Sequence, residues 1–115
     1  MSASKYIGGC HCKRVQYEVK TDLKNNLVCD CSRCSQLGAI FNFVDKDKFK
    51  LLKGEDELID YRFNKKVIRH LFCKHCGIES FAEGVTFPKV AINVRSLEGV
   101  DLASVSTTAF SGKDL

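Results

Sequence analysis

No apolar run in this 115-residue chain approaches the ~20 residues that a membrane-spanning helix needs. The first residues, Met1-Ser2-Ala3-Ser4-Lys5-Tyr6, lack the apolar stretch of a secretory signal. There is no internal repeat, low-complexity tract or Pro/Gly-rich linker, so a domain boundary has nowhere to fall and residues 1–115 read as one domain. Helix signals are also scarce. The best is one turn from Ser32 to Leu37, with Ser32 as N-cap and Gly38 as its end, and a weaker one lies near Leu97–Ala103. These absences leave a small, cytoplasmic, mainly β domain as the expectation.

What is present supports that class. Val15, Tyr17 and Val19 alternate with Arg14, Gln16 and Glu18, the period of two that marks a half-buried strand. Ile59, Tyr61 and Phe63 alternate with Asp60 and Arg62 in the same way. Ala39 to Val44 is apolar enough for a strand buried on both faces, and Phe49–Leu52, Val67–Phe72, Glu79–Ala82 and Val90–Val94 are further short candidates. Lys53-Gly54-Glu55-Asp56 reads as a turn. Phe41, Phe43, Phe49, Phe63, Phe72 and Phe81 are expected in the core, and Lys65, Lys66, Arg69 and Lys74 on a solvated strand face.

The seven cysteines fall into three tight groups, Cys10-His11-Cys12, Cys29-Asp30-Cys31-Ser32-Arg33-Cys34 and Cys73-Lys74-His75-Cys76-Gly77. Thiols this close cannot easily pair within a group, because a disulfide demands its own separation and torsion. In a reducing compartment such clusters are more often metal ligands, and several sulfurs can converge on a zinc about 2.3 Å away. Cys10 and Cys12 with Cys73 and Cys76 make a complete four-sulfur set, the pattern of a structural zinc. Gly77 can take the positive φ that such a knuckle often needs. The alternatives are inert buried thiols, or a redox C-x-x-C. The latter normally opens a helix, and the strand-like sequence after Gly77 does not fit it.

Cys29, Cys31 and Cys34 supply three sulfurs within six residues and leave a fourth position open, the pattern of a working metal. A histidine, His11, His70 or His75, could instead close that site. Zinc held by three thiolates carries a net charge of −1, so it is a weak Lewis acid and a poor source of hydroxide. It is better suited to holding an incoming thiol as a nucleophilic thiolate. A small thiol such as glutathione is the natural visitor. Arg33 could meet one of its carboxylates, or be a solvated surface residue. With two zincs per chain the formal charge of +4 loses seven for the thiolates and regains four from the metals, ending at +1. That is no case for bulk nucleic-acid binding.

Laid out in this order, the motifs resemble the glutathione-dependent formaldehyde-activating enzyme family, especially the branch typified by centromere protein V. The matching pieces are Gly9-Cys10-His11-Cys12 with Val15-x-Tyr17-x-Val19, then Cys29-Asp30-Cys31-Ser32-x-Cys34. Phe49-Lys50-Leu51-Leu52-Lys53-Gly54 follows, and then Phe72-Cys73-x-x-Cys76-Gly77-x-x-Ser80-Phe81. The resemblance implies a β-tent fold of small sheets holding two zincs. By motif position, Cys10, Cys12, Cys73 and Cys76 would ligate the structural zinc, and Cys29, Cys31 and Cys34 the catalytic one. The implied reaction joins glutathione to formaldehyde as S-hydroxymethylglutathione, a carbon–sulfur lyase reaction run in reverse. Lys13 stands where the family's first motif usually has glycine, and the chain has no tryptophan. The competing expectation is a non-catalytic zinc module for protein or nucleic-acid (chromatin) interaction, with both metals structural; a redox or metal-carrier protein ranks third.

Overall fold

In a computed structural model, residues 3–29, 36–62, 68–85 and 88–110 are described. They form ten strands: β1 (Ser4–Gly9), β2 (Gln16–Thr21), β3 (Asn26–Cys29), β4 (Phe41–Asp45), β5 (Phe49–Lys53), β6 (Leu58–Tyr61), β7 (Ile68–Cys73), β8 (Phe81–Gly84), β9 (Lys89–Asn93) and β10 (Thr107–Phe110). A three-stranded antiparallel sheet runs β1-β2-β5, and a seven-stranded sheet runs β10-β3-β4-β9-β8-β7-β6. In the larger sheet every pairing is antiparallel except that of β10 with β3. The protein is mainly β. Helical structure among the described residues is confined to short 3-10 turns and to Gln36 and Leu37, just before Gly38. The earlier part of the turn expected from Ser32 lies outside the described residues.

The alternation in β2 does what its period requires. Val15, Tyr17 and Val19 are fully buried, and they pack against Val44, Leu71, Phe81, Val90 and Ile92 from one face of the large sheet. The rings of Tyr17, Phe49 and Phe81 meet with centroids 4.7–5.9 Å apart, in tilted and edge-on geometries that suit the aromatic quadrupole. Burial pushes the Tyr17 hydroxyl pKa up, and the group shares a 2.8 Å hydrogen bond with Ser96 Oγ. At the edge of this core a buried polar network replaces apolar packing. Thr21 Oγ1 donates to Asn42 Oδ1, and the Asn42 amide donates to Asn26 Oδ1 and the Lys24 carbonyl.

The large sheet has a second apolar cluster on its other face, built from Ala39, Phe41, Ala82 and Ala91 with Ile68 against them. Register explains the division: Phe81 pairs with Ile92 on the core side, and Ala82 pairs with Ala91 on the outer side. Two expectations fail on this outer face. Phe43 is 42% exposed rather than core, because its neighbour Val44 takes the inward position. Ile59 and Tyr61 point outward, since Leu58 is the β6 residue that packs on the main core. Phe49 and Phe72 are half-buried, and Phe63, Lys65 and Lys66 lie outside the described residues.

Candidate metal centre

Two hairpin turns, one from each sheet, meet at one end of the molecule. The first follows β1, where Cys10 N donates to Val15 O and Lys13 N to Cys10 O. The second follows β7. There Gly77 N donates to Cys73 O at 2.8 Å and Cys73 N to Ile78 O, closing a tight loop whose Gly77 has φ 79°. Together they bring Cys10, Cys12, Cys73 and Cys76 to a point where all four Sγ atoms lie within 4.8 Å of one another. The Cys10–Cys12 and Cys12–Cys73 Sγ separations are both 3.6 Å. Tetrahedral zinc with bonds near 2.3 Å sets its sulfurs about 3.8 Å apart, so the donor set fits that ion, and it is far from disulfide contact.

The four thiols differ in their surroundings. The backbone amide of Arg14, and then its guanidinium, hydrogen-bond Cys12 and hold its pKa down at about 6. Burial pushes Cys10 up to about 11. For Cys76 burial also pushes upward, but the backbone amides of Ile78 and Cys12 outweigh it and the net shift is downward. Since metal binding needs thiolates, loading this centre releases protons.

Lys13 occupies the position where glycine was expected by resemblance, and its φ of 70° explains why glycine suits it. A Cβ there strains the turn by about 1 kcal/mol. Lys13→Gly is therefore expected to raise the melting temperature slightly, by about 2–4 °C, once the freer unfolded chain is allowed for. A fall in melting temperature would mean that the lysine side chain supports the turn more than its backbone strains it.

The other expected cluster is framed but not itself described. Cys31, Arg33 and Cys34 lie outside the described residues, and of Cys29 only the backbone is placed, at the end of β3 opposite Phe110. The described chain resumes at Gln36, and shortly after it the Gly38 carbonyl accepts from Arg95 Nε at 3.2 Å and Ile40 O accepts from Val94 N at 2.7 Å. Both ends of the segment are thus fixed at one end of the large sheet. Of the histidines, His11 is exposed and the His75 imidazole contacts Glu57. Arg69 and Lys74 are ion-paired rather than simply solvated: Arg69 reaches Asp60 and Glu83, and Lys74 reaches Glu57.

His70 Nδ1 lies 3.1 Å from Glu79 Oε2, with residue exposures of 5% and 1%. Sequence reasoning weighed His70 as a possible metal ligand, against a surface or packing role, and passed over Glu79. The signal was symmetry, since His70 precedes Cys73 by three and Glu79 follows Cys76 by three. A knuckle that closes a hairpin brings such flanks together.

The model of the glutathione-dependent formaldehyde-activating enzyme family matches residues 5–109. The chain belongs to this family. A crystal structure of a Rhodobacter sphaeroides protein is similar to it at 30% identity, with a TM-score of 0.81, covering 90% of this chain and 97% of that one. Among the described residues no helix is long and apolar enough to cross a membrane.

Proposed function

We propose that this member of the family is a zinc-dependent enzyme that adds glutathione, or a similar thiol, to formaldehyde or another small aldehyde. The observation that carries the reading is the family match over residues 5–109. In this reading the chain holds two zincs. Cys10, Cys12, Cys73 and Cys76 bind one whose task is to tie the two sheets, and the described sulfur geometry supports that assignment. Cys29, Cys31 and Cys34 bind the other, leaving room for a substrate. The ion there supplies positive charge that favours the thiolate form of an incoming thiol. Arg33, inside that cluster, meets a glutathione carboxylate. Cysteine-only metal ligation suits a reducing, cytoplasmic setting.

Cobalt in place of zinc reports on thiolate ligation through its visible bands. Glutathione is expected to change those bands saturably in the wild type, and S-methylglutathione, which keeps the carboxylates but has no thiol, is expected to leave them unchanged. Cys31→Ser should abolish the response while the four-sulfur bands persist. Formaldehyde should then be consumed above the spontaneous background by the wild type alone. Spectra indifferent to both compounds, with no turnover, would instead support the non-catalytic module.

A further inference from the structure

Two open sheets leave four edge strands, β1 and β5 on the small sheet, β6 and β10 on the large one. An edge presents a row of unpaired amides and carbonyls, which folded chains blunt with charged side chains or cover with other segments. Three of the four edges follow that rule. β5 carries Lys50 and Lys53, both exposed, and β6 carries Asp60 and leads straight into Arg62. β1 carries Lys5 and is partly covered by the chain after β9, where Gly8 bridges Leu97 and Glu98 N donates to Ile7 O.

β10 does not. It reads Thr107-Thr108-Ala109-Phe110, and residues 102–112 around it hold no charged side chain. Thr107, Thr108 and Ala109 are all exposed, so neither face of the strand packs on a core. The nearest anchor is Val105, which packs against the main cluster. Val28, opposite Ala109 on β3, is itself 41% exposed. Among the described residues β10 is therefore held by one parallel ladder and has no strand on its other side. Backbone pairing along one side returns little against the entropy of ordering a strand.

Charge decides which neighbour fits the open side. A two-fold axis sets an edge against its own copy, so each side chain meets itself or a close neighbour in sequence. At β5 such a contact would oppose lysines, and at β6 it would oppose carboxylates; like charges facing each other across a pair of strands are destabilising. At β10 it opposes threonine and alanine, and threonine pairs across strands are favourable. We propose that β10 is a self-association edge: a second copy of this chain lays its own β10 antiparallel to the first, so that the two large sheets run on as one. The inference draws nothing from the thiol–aldehyde reading. Strands this short bury less than the ~1,200 Å² of a standard interface, so the dimer is a transient one, half formed at about 10–100 µM.

Sedimentation equilibrium of the full chain, purified without chelator, tests this. The average mass is expected to climb from one chain to two across that range of concentration, and amide exchange at residues 107–110 to slow in step. Thr108→Lys and Thr108→Glu should each raise the midpoint about tenfold, because each copy then meets its own charge. Mixed in equal parts, the two variants should associate to within about twofold of the wild type. Ile59→Lys, at an exposed position on the β6 edge, should change nothing. Near-ultraviolet dichroism checks folding, and Ala109→Lys with Ala109→Glu replaces the Thr108 pair if either of those misfolds. A mass that stays at one chain up to about 1 mM overturns the proposal. So does a dimer that is indifferent to the charge variants, or one that Ile59→Lys dissociates. Growth beyond two chains would mean head-to-tail pairing, and overturns the two-fold arrangement.

Discussion

Cys73→Ser is expected to leave this protein largely unfolded at 37 °C, whereas Cys31→Ser is expected to remain folded. Cys73 is fully buried, belongs to the main core, and places its sulfur 3.6 Å from that of Cys12, sixty-one residues away in the chain. A metal shared by these turns would join the small sheet to the large one. Structural zinc in small domains contributes about 10–16 kcal/mol of apparent binding energy, against a typical net stability of about 5–15 kcal/mol. Losing one of four ligands therefore removes most of the margin. Cys31 belongs to a cluster spanning six residues, and closing so short a loop organises little of the chain. Thermal melts of both variants, with and without a strong chelator, decide this. Chelation should depress the wild-type melt towards that of Cys73→Ser. A lower melt for Cys31→Ser than for Cys73→Ser would reverse the proposed roles of the two metals.

Gly54→Ala is expected to cost more than about 3 kcal/mol, or upward of about 10 °C in melting temperature. Gly54 has φ 97°, and a Cβ there would come within 2.4 Å of the Arg14 carbonyl oxygen and 2.7 Å of Val15 Cα. Backbone atoms cannot swing aside as a side chain can. Relief has to come from moving the Arg14–Val15 segment, which leads into β2 just before its register against β5 shifts between Gln16 and Tyr17. That segment supplies the amide beside Cys12 and the hydrogen bonds that fold Cys10 into place. The substitution should thus also raise the Cys12 pKa and weaken metal retention. Gly77→Ala is the control for strain without collision, with φ 79° and nothing within 4 Å of the added carbon. It should cost only about 1 kcal/mol. Equal losses from the two substitutions would show that conformation, and not contact with Arg14, governs Gly54.

Alternation made β2 legible in the sequence because one of its faces meets the core and the other meets water. β4 was legible as an apolar run, since both faces of the large sheet carry clusters at that point. β1 was not, for Gly8 and Gly9 give a pattern nothing to read. β3 and β10 were missed for a different reason. Asn26 is 1% exposed yet polar, and its burial is made tolerable only by Asn42, Leu23 and Ser106 around it. A hydropathy pattern scores such a residue as surface. Phe43 shows the converse error, an aromatic side chain that register turns outward. The convergence of Cys10, Cys12, Cys73 and Cys76 was readable from spacing alone, because few arrangements satisfy two such turns at once. The symmetric spacing of His70 and Glu79 about the knuckle was in the sequence, but the face of β7 that carries His70 emerges only from the pairing with β8.

The parallel contact between β3 and β10 carries a consequence for the order of events during synthesis. β3 is held by four paired positions to β10 but by only two to β4. Parallel strands so distant in the chain close late, because the entropy of the intervening loop is lost before any contact compensates for it. While the nascent chain is still emerging, the hairpins around β1–β2 and β7–β8 can already meet and gather their four sulfurs. The strand that delivers Cys29 stays half-anchored until residues 107–110 have left the ribosome. Maturation would thus be vectorial: the proposed scaffold metal can be captured on an incomplete chain, and the strand that leads into the segment proposed for chemistry is anchored only when β10 arrives.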